Sequence, residues 1–294
     1  MSTVRTLRVG TRGSSLALVQ AGRVASLLES AGHSVETVTI VTAGDRRAPG
    51  LSAGEGVFVT AIQEALLAGE VDLAVHSAKD LPTAQSERTS LLYPERADPR
   101  DALVTRSGAG LAGLPEGASV GTDSPRRAGF LRELRPDLRI GPLHGNVPTR
   151  LRKLDAGEVD ALVLAVAGLR RLELDERIAA TFETIDLPPA PAQAAIAVQM
   201  RAGDAEVSRR LAALDDPTIR LEVETERAVL AGMGGGCRFP LGALAEVEGE
   251  TLHLVAGVPG RVLQRSAPAL DGAVAALVSG VVRELQDRGP GGIR

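Results

Sequence analysis

Residues 70–84 read EVDLAVHSAKDLPTA. The run from Val71 to Val75, broken only by Asp72, has the apolar density of a buried strand. It ends abruptly in His76, Ser77, Lys79 and Asp80, then breaks at Pro82. A hydroxyl, an ammonium and a carboxylate are therefore delivered together where a strand finishes, which is where open α/β sheets bind their ligands. Residues 7–11 read as a short strand. Ser14 caps a helix running to residue 31, and Gly32 ends it. Residues 35–42 form a second strand. Residues 43–56, AGDRRAPGLSAGEG, are a loop rich in glycine and charge. A helix over 57–68 stops at Gly69, just ahead of the opening strand. This β-α-β-α-β order predicts a parallel sheet with helices on its faces.

Residues 94–101, PERADPRD, read as a crossing into a second α/β unit. There the pattern gives a strand end at 119–121, helices at 124–134 and 146–156, a buried strand at 161–166 and a short helix at 168–174. Residues 187–199, LPPAPAQAAIAVQ, lead back toward the first lobe. A third region opens at Asp216 with a helix to residue 231. It continues through the turn GMGGGCRFPLG, strands at 243–248, 251–258 and 261–265, and a helix over 269–286. The expected division is 1–95 with 195–213, then 96–194, then 216–294. The first two are α/β units and the third is a small α+β domain.

The length of 294 residues suits two or three domains. With no Trp, one Tyr and four Phe, the cores must be aliphatic. A net charge of −4 argues against broad nucleic-acid binding, which needs a basic face. No apolar stretch is long enough to span a membrane, and the N-terminus lacks a signal core, so a cytoplasmic location is expected. A single cysteine forms no internal disulfide. The four histidines show no ligand spacing, so no metal is expected.

Lysine occurs only at Lys79 and Lys153. Arginine instead gathers at the strand-to-helix turns. TRGSS holds Arg12 and Ser14; GTDSPRR holds Thr122, Ser124, Arg126 and Arg127. HGNVPTRLRK holds Asn146, Thr149, Arg150 and Arg152, and Arg170 and Arg171 follow. Helix starts favour anions, and arginine suits bidentate carboxylate recognition. Dinucleotide and Walker patterns are absent, so several carboxylates fit better than a nucleotide. Cys237 follows three glycines, which leaves room around its sulfur for something large; the alternative is a small buried hydrophobe at a turn.

Taken together, TRGSSLAL, GVFV, VDLAVHSAKDLP, DPRDAL, VGTDSPRR, GNVPTRLRKLDAGEVDALVLAVAGLRRL and GGGCRFPLG resemble the porphobilinogen deaminase family, in order and over nearly the whole chain. The resemblance implies two lobes like those of periplasmic binding proteins around a cleft, with a third domain carrying the cysteine. It implies a transferase of tetrapyrrole and heme biosynthesis, acting as a monomer without nucleic-acid or membrane partners. Cys237 would hold a dipyrromethane cofactor by a thioether link. Four porphobilinogens would be joined head to tail, each losing ammonia, and water would release hydroxymethylbilane. Asp80 matches the catalytic aspartate, with Lys79 beside it. Ser77, Lys79, Asp80, Thr122, Ser124, Arg126, Arg127, Asn146 and Arg150 would hold the cofactor. Arg12, Ser14, Phe58, Arg171 and Gln193 would meet substrate.

Several positions depart from the family pattern. Its loop GKGLFVKE stands here as residues 54–61, GEGVFVTA, so Glu55 and Thr60 replace lysines. His144 replaces an arginine. Asp123 and Pro125 stand beside the arginine pair. Ala192, Ala194 and Ala197 replace glycines around Gln193, an exchange expected to crowd or stiffen that segment. Two readings therefore compete with a working deaminase: an enzyme joining an altered pyrrole, and a small-molecule binding protein without turnover. Retention of Cys237 and Asp80 favours catalysis.

Overall fold

The computed structural model describes residues 5–41, 57–236 and 238–287. Cys237 and loop 43–56, with Glu55, lie outside the described residues, as does the side chain of Phe58. In chain order the elements begin β1 (Leu7–Arg12), α1 (Ser15–Ser30), β2 (Val35–Ile40), α2 (Val57–Leu67), β3 (Leu73–Ser77) and β4 (Thr89–Arg96). The second set is β5 (Asp101–Thr105), β6 (Ser119–Gly121), α3 (Pro125–Leu134), β7 (Arg139–Gly141), α4 (Val147–Asp155), β8 (Ala161–Ala165), α5 (Val166–Arg171) and β9 (Ala180–Thr181). The chain then runs through β10 (Ala195–Arg201), α6 (Ala205–Leu211), α7 (Pro217–Gly232), β11 (Gly242–Glu248), β12 (Thr251–Val258), β13 (Arg261–Pro268) and α8 (Asp271–Gln286).

Local chemistry explains the helix starts. The side chains of Ser14, Ser124, Asn146 and Asp216 each accept a hydrogen bond from a backbone N–H in the first turn of α1, α3, α4 and α7. Pro125, Pro148 and Pro217 sit in the first turns of the last three, where a missing N–H is harmless.

The first sheet has the order β2-β1-β3-β10-β4 and the second β7-β6-β8-β5-β9. The parallel sheet expected from the sequence is thus mixed. β1 runs parallel to β2 and β3, whereas β10 runs antiparallel to β3 and β4. In the second sheet β6 is parallel to β7 and β8, and β5 is antiparallel to β8 and β9. The reversed strand is the one that arrives from the other lobe: β5 follows the crossing after β4, and β10 follows the crossing back. Each enters its sheet from the side where the lobes meet and so opposes its neighbours. The two lobes therefore share one layout, with β5 equivalent to β10.

Leu7, Val9, Leu73 and Val75 pack with Val24 and Leu28 of α1 on one face of the first sheet. Leu103, Val120 and Val163 pack with Phe130 and Leu131 of α3 in the second. The three-stranded antiparallel sheet β11-β12-β13 forms its own core with α7 and α8. Gly242 opens that sheet against the returning segment, where a Cβ would lie 2.3 Å from the Pro188 carbonyl oxygen. Only glycine permits this approach, and the next residue, Ala243, donates its N–H to Pro189 at 2.8 Å. Among the described residues no helix is long and apolar enough to cross a membrane.

Candidate active site

β3 finishes at Ser77, and a single 3-10 turn, Ala78–Asp80, carries Lys79 and Asp80 beyond it. Asp80 is exposed and Lys79 is half-buried. The Lys79 ammonium donates to Gln193 Oε1 at 3.1 Å. Gln193 is fully buried and donates through Nε2 to Asp101 Oδ1 at 2.9 Å and to the Pro99 carbonyl at 2.7 Å. Asp101, the first residue of β5, is the hub. Its Oδ2 accepts from Arg126 Nη2 at 2.6 Å, and its Oδ1 accepts from Arg127 Nη2 at 2.6 Å. The three charges are buried together.

The electrostatics follow from this packing. Burial alone would raise the Asp101 carboxyl, but Arg126 and Arg127 hold it well below the usual carboxylate range. Burial and the neighbouring Arg127 push the Lys79 ammonium down to about 8, against the pull of Asp80 and Asp101. Arg126 and Arg127 stand in the first turn of α3, where the helix dipole disfavours cations. Asp101 offsets that repulsion, and a bound anion would offset the rest. The Nε of Arg126 and that of Arg171 are buried without a hydrogen-bond partner.

The pH dependence has a defined sign. The charged form of Lys79 attracts carboxylates, and it is lost as pH rises through about 8. The kcat/KM for a carboxylated substrate should therefore fall across that range, since it reports the free enzyme. The same limb should be missing in Lys79→Arg, whose guanidinium stays charged. A limb of equal midpoint in that variant would assign the titration to another group.

The sequence placed Asp123 beside Arg126 and Arg127. The structure pairs it elsewhere. Asp123 Oδ1 accepts from His144 Nδ1 at 2.9 Å and from the Leu143 N–H at 3.1 Å, and Oδ2 accepts from Arg150 Nη2 at 3.2 Å. Arg150 also donates from Nε to the Gly145 carbonyl at 2.8 Å. Burial lowers the Arg150 guanidinium and nearby Arg127 adds to the effect, so the two arginines belong to one electropositive region.

The remaining expected residues divide. Ser14, Ser124 and Asn146 spend a side-chain oxygen on helix capping. Thr122 is buried, and its hydroxyl accepts from the Ser124 N–H. Ser77 exchanges hydrogen bonds with Gln20 of α1. Arg171 is committed to Glu95 and to the Ala194 carbonyl. Arg12 closes β1 and is half-buried; Thr60 is exposed on α2. A cavity of about 520 Å³ lies apart from Lys79 and Asp80, between Arg96 and Pro99 of the crossing and Glu222, Val247 and His253 of the third region.

Sequence reasoning missed Asp101, Gln20 and Glu226. Asp101 stood in the quoted DPRDAL without a role. Glu226, fully buried on α7, accepts from Arg96, from the Ala192 N–H at 2.6 Å and from the Ala245 N–H at 2.8 Å. Its neighbour Arg227 donates to the Pro82 carbonyl at 2.6 Å, and Thr83 donates to the Gly235 carbonyl at 3.0 Å. The helix that leads into the cysteine turn thus grips both the segment after Asp80 and the segment before Gln193. Gly235 lies two residues ahead of Cys237 in the chain. Ala192 and Ala194, on either side of Gln193, have φ of 64° and 72°. These left-handed conformations are the ones a glycine adopts freely and an alanine adopts at a cost of about 1–2 kcal/mol.

Comparison with known proteins bears on this arrangement. Residues 7–209 match the family model described as porphobilinogen deaminase, dipyromethane cofactor binding domain, and residues 220–261 match the model of the porphobilinogen deaminase C-terminal domain. The chain belongs to the porphobilinogen deaminase family. A porphobilinogen deaminase of Roseiflexus castenholzii is 51% identical over 294 residues, covering 96% of each chain. That of Mycobacterium tuberculosis H37Rv is 53% identical over 243 residues, covering 82% of this chain and 79% of the relative. Among solved structures, a nutrient binding protein from Burkholderia cenocepacia bound to methionine covers 72% of this chain and 93% of its own at TM-score 0.44 and 15% identity. The structure joins Lys79, Gln193, Arg126 and Arg127 through Asp101, with Asp80 next to Lys79 in the same turn, while Arg150 pairs with Asp123.

Proposed function

We propose that this chain deaminates porphobilinogen and joins four of the pyrroles head to tail on a cysteine-linked dipyrromethane, releasing hydroxymethylbilane by hydrolysis. The observation that carries the reading is the exposed Asp80 carboxylate standing next to the half-buried Lys79 and, beyond it, the buried Arg126 and Arg127. The donor set fits dipyrromethane, whose acetate and propionate groups need cations, and the unpartnered Nε atoms of Arg126 and Arg171 suit further acceptors. Residues Lys79, Arg126, Arg127 and Arg150 would hold those carboxylates, with Thr122 and Ser124 assisting and Cys237 supplying the thioether. When bound, the cofactor supplies the pyrrole carbon to which the growing chain is attached.

The chain's own residues account for the hard step. Loss of ammonia from the aminomethyl group of porphobilinogen leaves a cationic azafulvene. Asp80, beside the pyrrole N–H, stabilises that cation as it forms. Lys79 and the arginines neutralise the substrate's carboxylates, so that Asp80 acts on the positive end alone. Arg12, Ser14, Phe58, Arg171 and Gln193 complete the substrate side of this proposal. The reading extends to a monomeric cytoplasmic enzyme built as 1–95 with 195–213, 96–194 and 216–294. Glu55, Thr60 and His144 stand at sequence positions where the family pattern has cations, which favours slower turnover over loss of the reaction.

Intact mass tests the reading. The purified protein should exceed its sequence mass by two porphobilinogen-derived pyrrole units, and Cys237→Ala should lose the whole excess. An unmodified mass that persists after incubation with porphobilinogen or preformed hydroxymethylbilane would overturn the proposal in favour of a binding protein without turnover.

A further inference from the structure

The Arg150 clamp is already filled. Asp123 puts one carboxylate oxygen 2.9 Å from His144 Nδ1 and the other 3.2 Å from Arg150 Nη2. Arg150 Nε also donates to the Gly145 carbonyl, which fixes the guanidinium against its own loop. Lys153 donates to the His144 carbonyl at 3.3 Å, and the Leu143 N–H donates to Asp123, so the loop is held from both ends. The side chains are only partly covered, with 26% of Asp123 and 21% of Arg150 exposed, so a ligand carboxylate can reach the pair. Asp123 directly precedes Ser124, the cap of α3, whose first turn carries Arg126 and Arg127, so the clamp stands at the edge of the Lys79–Arg127 cluster, and Arg127 acts on Arg150 across it.

We propose that Asp123 is a specificity-determining residue that occupies the Arg150–His144 clamp with the protein's own carboxylate, so that a pyrrole side-chain carboxylate binds there only by displacing it. This rests on the deaminase reading and adds to it. An incoming acetate or propionate exchanges one ion pair for another at this position and gains little. A pyrrole with a shorter or uncharged substituent there loses correspondingly little. The site is thereby more tolerant at this substituent than at the substituents met by Arg126, Arg127 and Lys79. Asp123 acts through Arg150 and His144 and takes no part in bond making.

The test uses the holoprotein and a pyrrole carrying acetate and propionate but lacking the aminomethyl group, which binds without reacting. Its dissociation constant is read by calorimetry. Asp123→Asn keeps an oxygen for the Leu143 N–H and removes the charge. It should bind this probe about ten- to hundredfold more tightly, the worth of one charge-assisted hydrogen bond. Its KM for porphobilinogen should fall in proportion, with kcat changing far less. Asp123→Glu, which restores the charge, should return toward the wild-type constants. His144→Arg, which leaves Asp123 in place and adds a permanent cation, should also tighten binding and gives a second arm if Asp123→Asn folds poorly. Unchanged or weaker binding in both Asp123→Asn and His144→Arg overturns the inference and leaves Asp123 as a loop brace. Failure of the wild type itself to bind the probe or release ammonia from porphobilinogen would overturn the functional reading, and the inference with it.

Discussion

Asp101→Ala should destabilise the protein by about 3–5 kcal/mol, the usual outcome when one partner of a buried ion pair is removed. Asp101 is fully buried and is the acceptor for Arg126, Arg127 and Gln193. Without it, two guanidinium groups remain buried at a helix start whose dipole already opposes them. Gln193 also loses a partner, and its bond to Lys79 loses its anchor. Asp101→Asn keeps an acceptor and loses the charge, so it should fall between the two. The sign of the pH dependence separates this from a surface effect. The Asp101 carboxyl is held below its unfolded value, so its contribution is fully present above the ordinary carboxylate range. That contribution is lost only as pH falls through the folded value. The gap between wild type and Asp101→Ala, measured by urea unfolding, should therefore be flat from neutral pH down to about 5 and narrow only in stronger acid. A cost below about 1 kcal/mol would mean that the arginines find other partners and that Asp101 is not the hub. Because the residue joins the start of β5 to α3 and to the segment returning to the first lobe, cofactor loading should fall with stability.

What was legible in the sequence was local. Ser14, Ser124, Asn146 and Asp216 announce helix starts because the side chain that caps a helix lies within three residues of the amides it satisfies. The strand–turn bearing Lys79 and Asp80 was legible for the same reason: an apolar run and its polar stop are contiguous. What was not legible depends on separation. Asp101 lies 25 and 26 residues from its arginines and 92 from Gln193, and only the sheet brings them together. The reversed direction of β5 and β10 is not written in their own residues either, since a buried strand has the same composition either way; it follows from which lobe the chain comes from. Ala192 and Ala194 are an intermediate case. Alanine in place of glycine was visible and suggested crowding or stiffening of the segment; what the sequence does not give is the left-handed backbone at Ala192 and Ala194. The left-handed backbone persists because Glu226 holds the Ala192 amide and Arg171 holds the Ala194 carbonyl. Those two braces come from α7 and α5, and no local pattern predicts them.

Asp80→Asn should leave folding and cofactor attachment nearly intact and reduce turnover about a thousandfold. The two halves of that expectation have separate causes. Asp80 is exposed at the end of a 3-10 turn, and substitutions in such places usually shift stability by no more than about 0.5 kcal/mol. The turn is fixed by buried Ala78 and by Arg227 on the Pro82 carbonyl, neither of which needs the Asp80 charge. Turnover is different, because a full positive charge develops on the pyrrole as ammonia leaves. One ion pair at about 4 Å with an effective dielectric near 20 is worth roughly 4 kcal/mol, which is about a thousandfold in rate. An asparagine supplies only a dipole there. The loss should fall on kcat, with KM little changed, because the charge it answers exists only after binding. Ammonia release in single-turnover experiments measures the step directly, and intact mass confirms that the cofactor is still attached. A rate within tenfold of wild type would remove Asp80 from the mechanism and shift the stabilising role to a substrate carboxylate. A thousandfold loss with unchanged cofactor loading would also exclude the binding-protein alternative, since a protein that only holds its ligand has no ammonia release for Asp80 to govern.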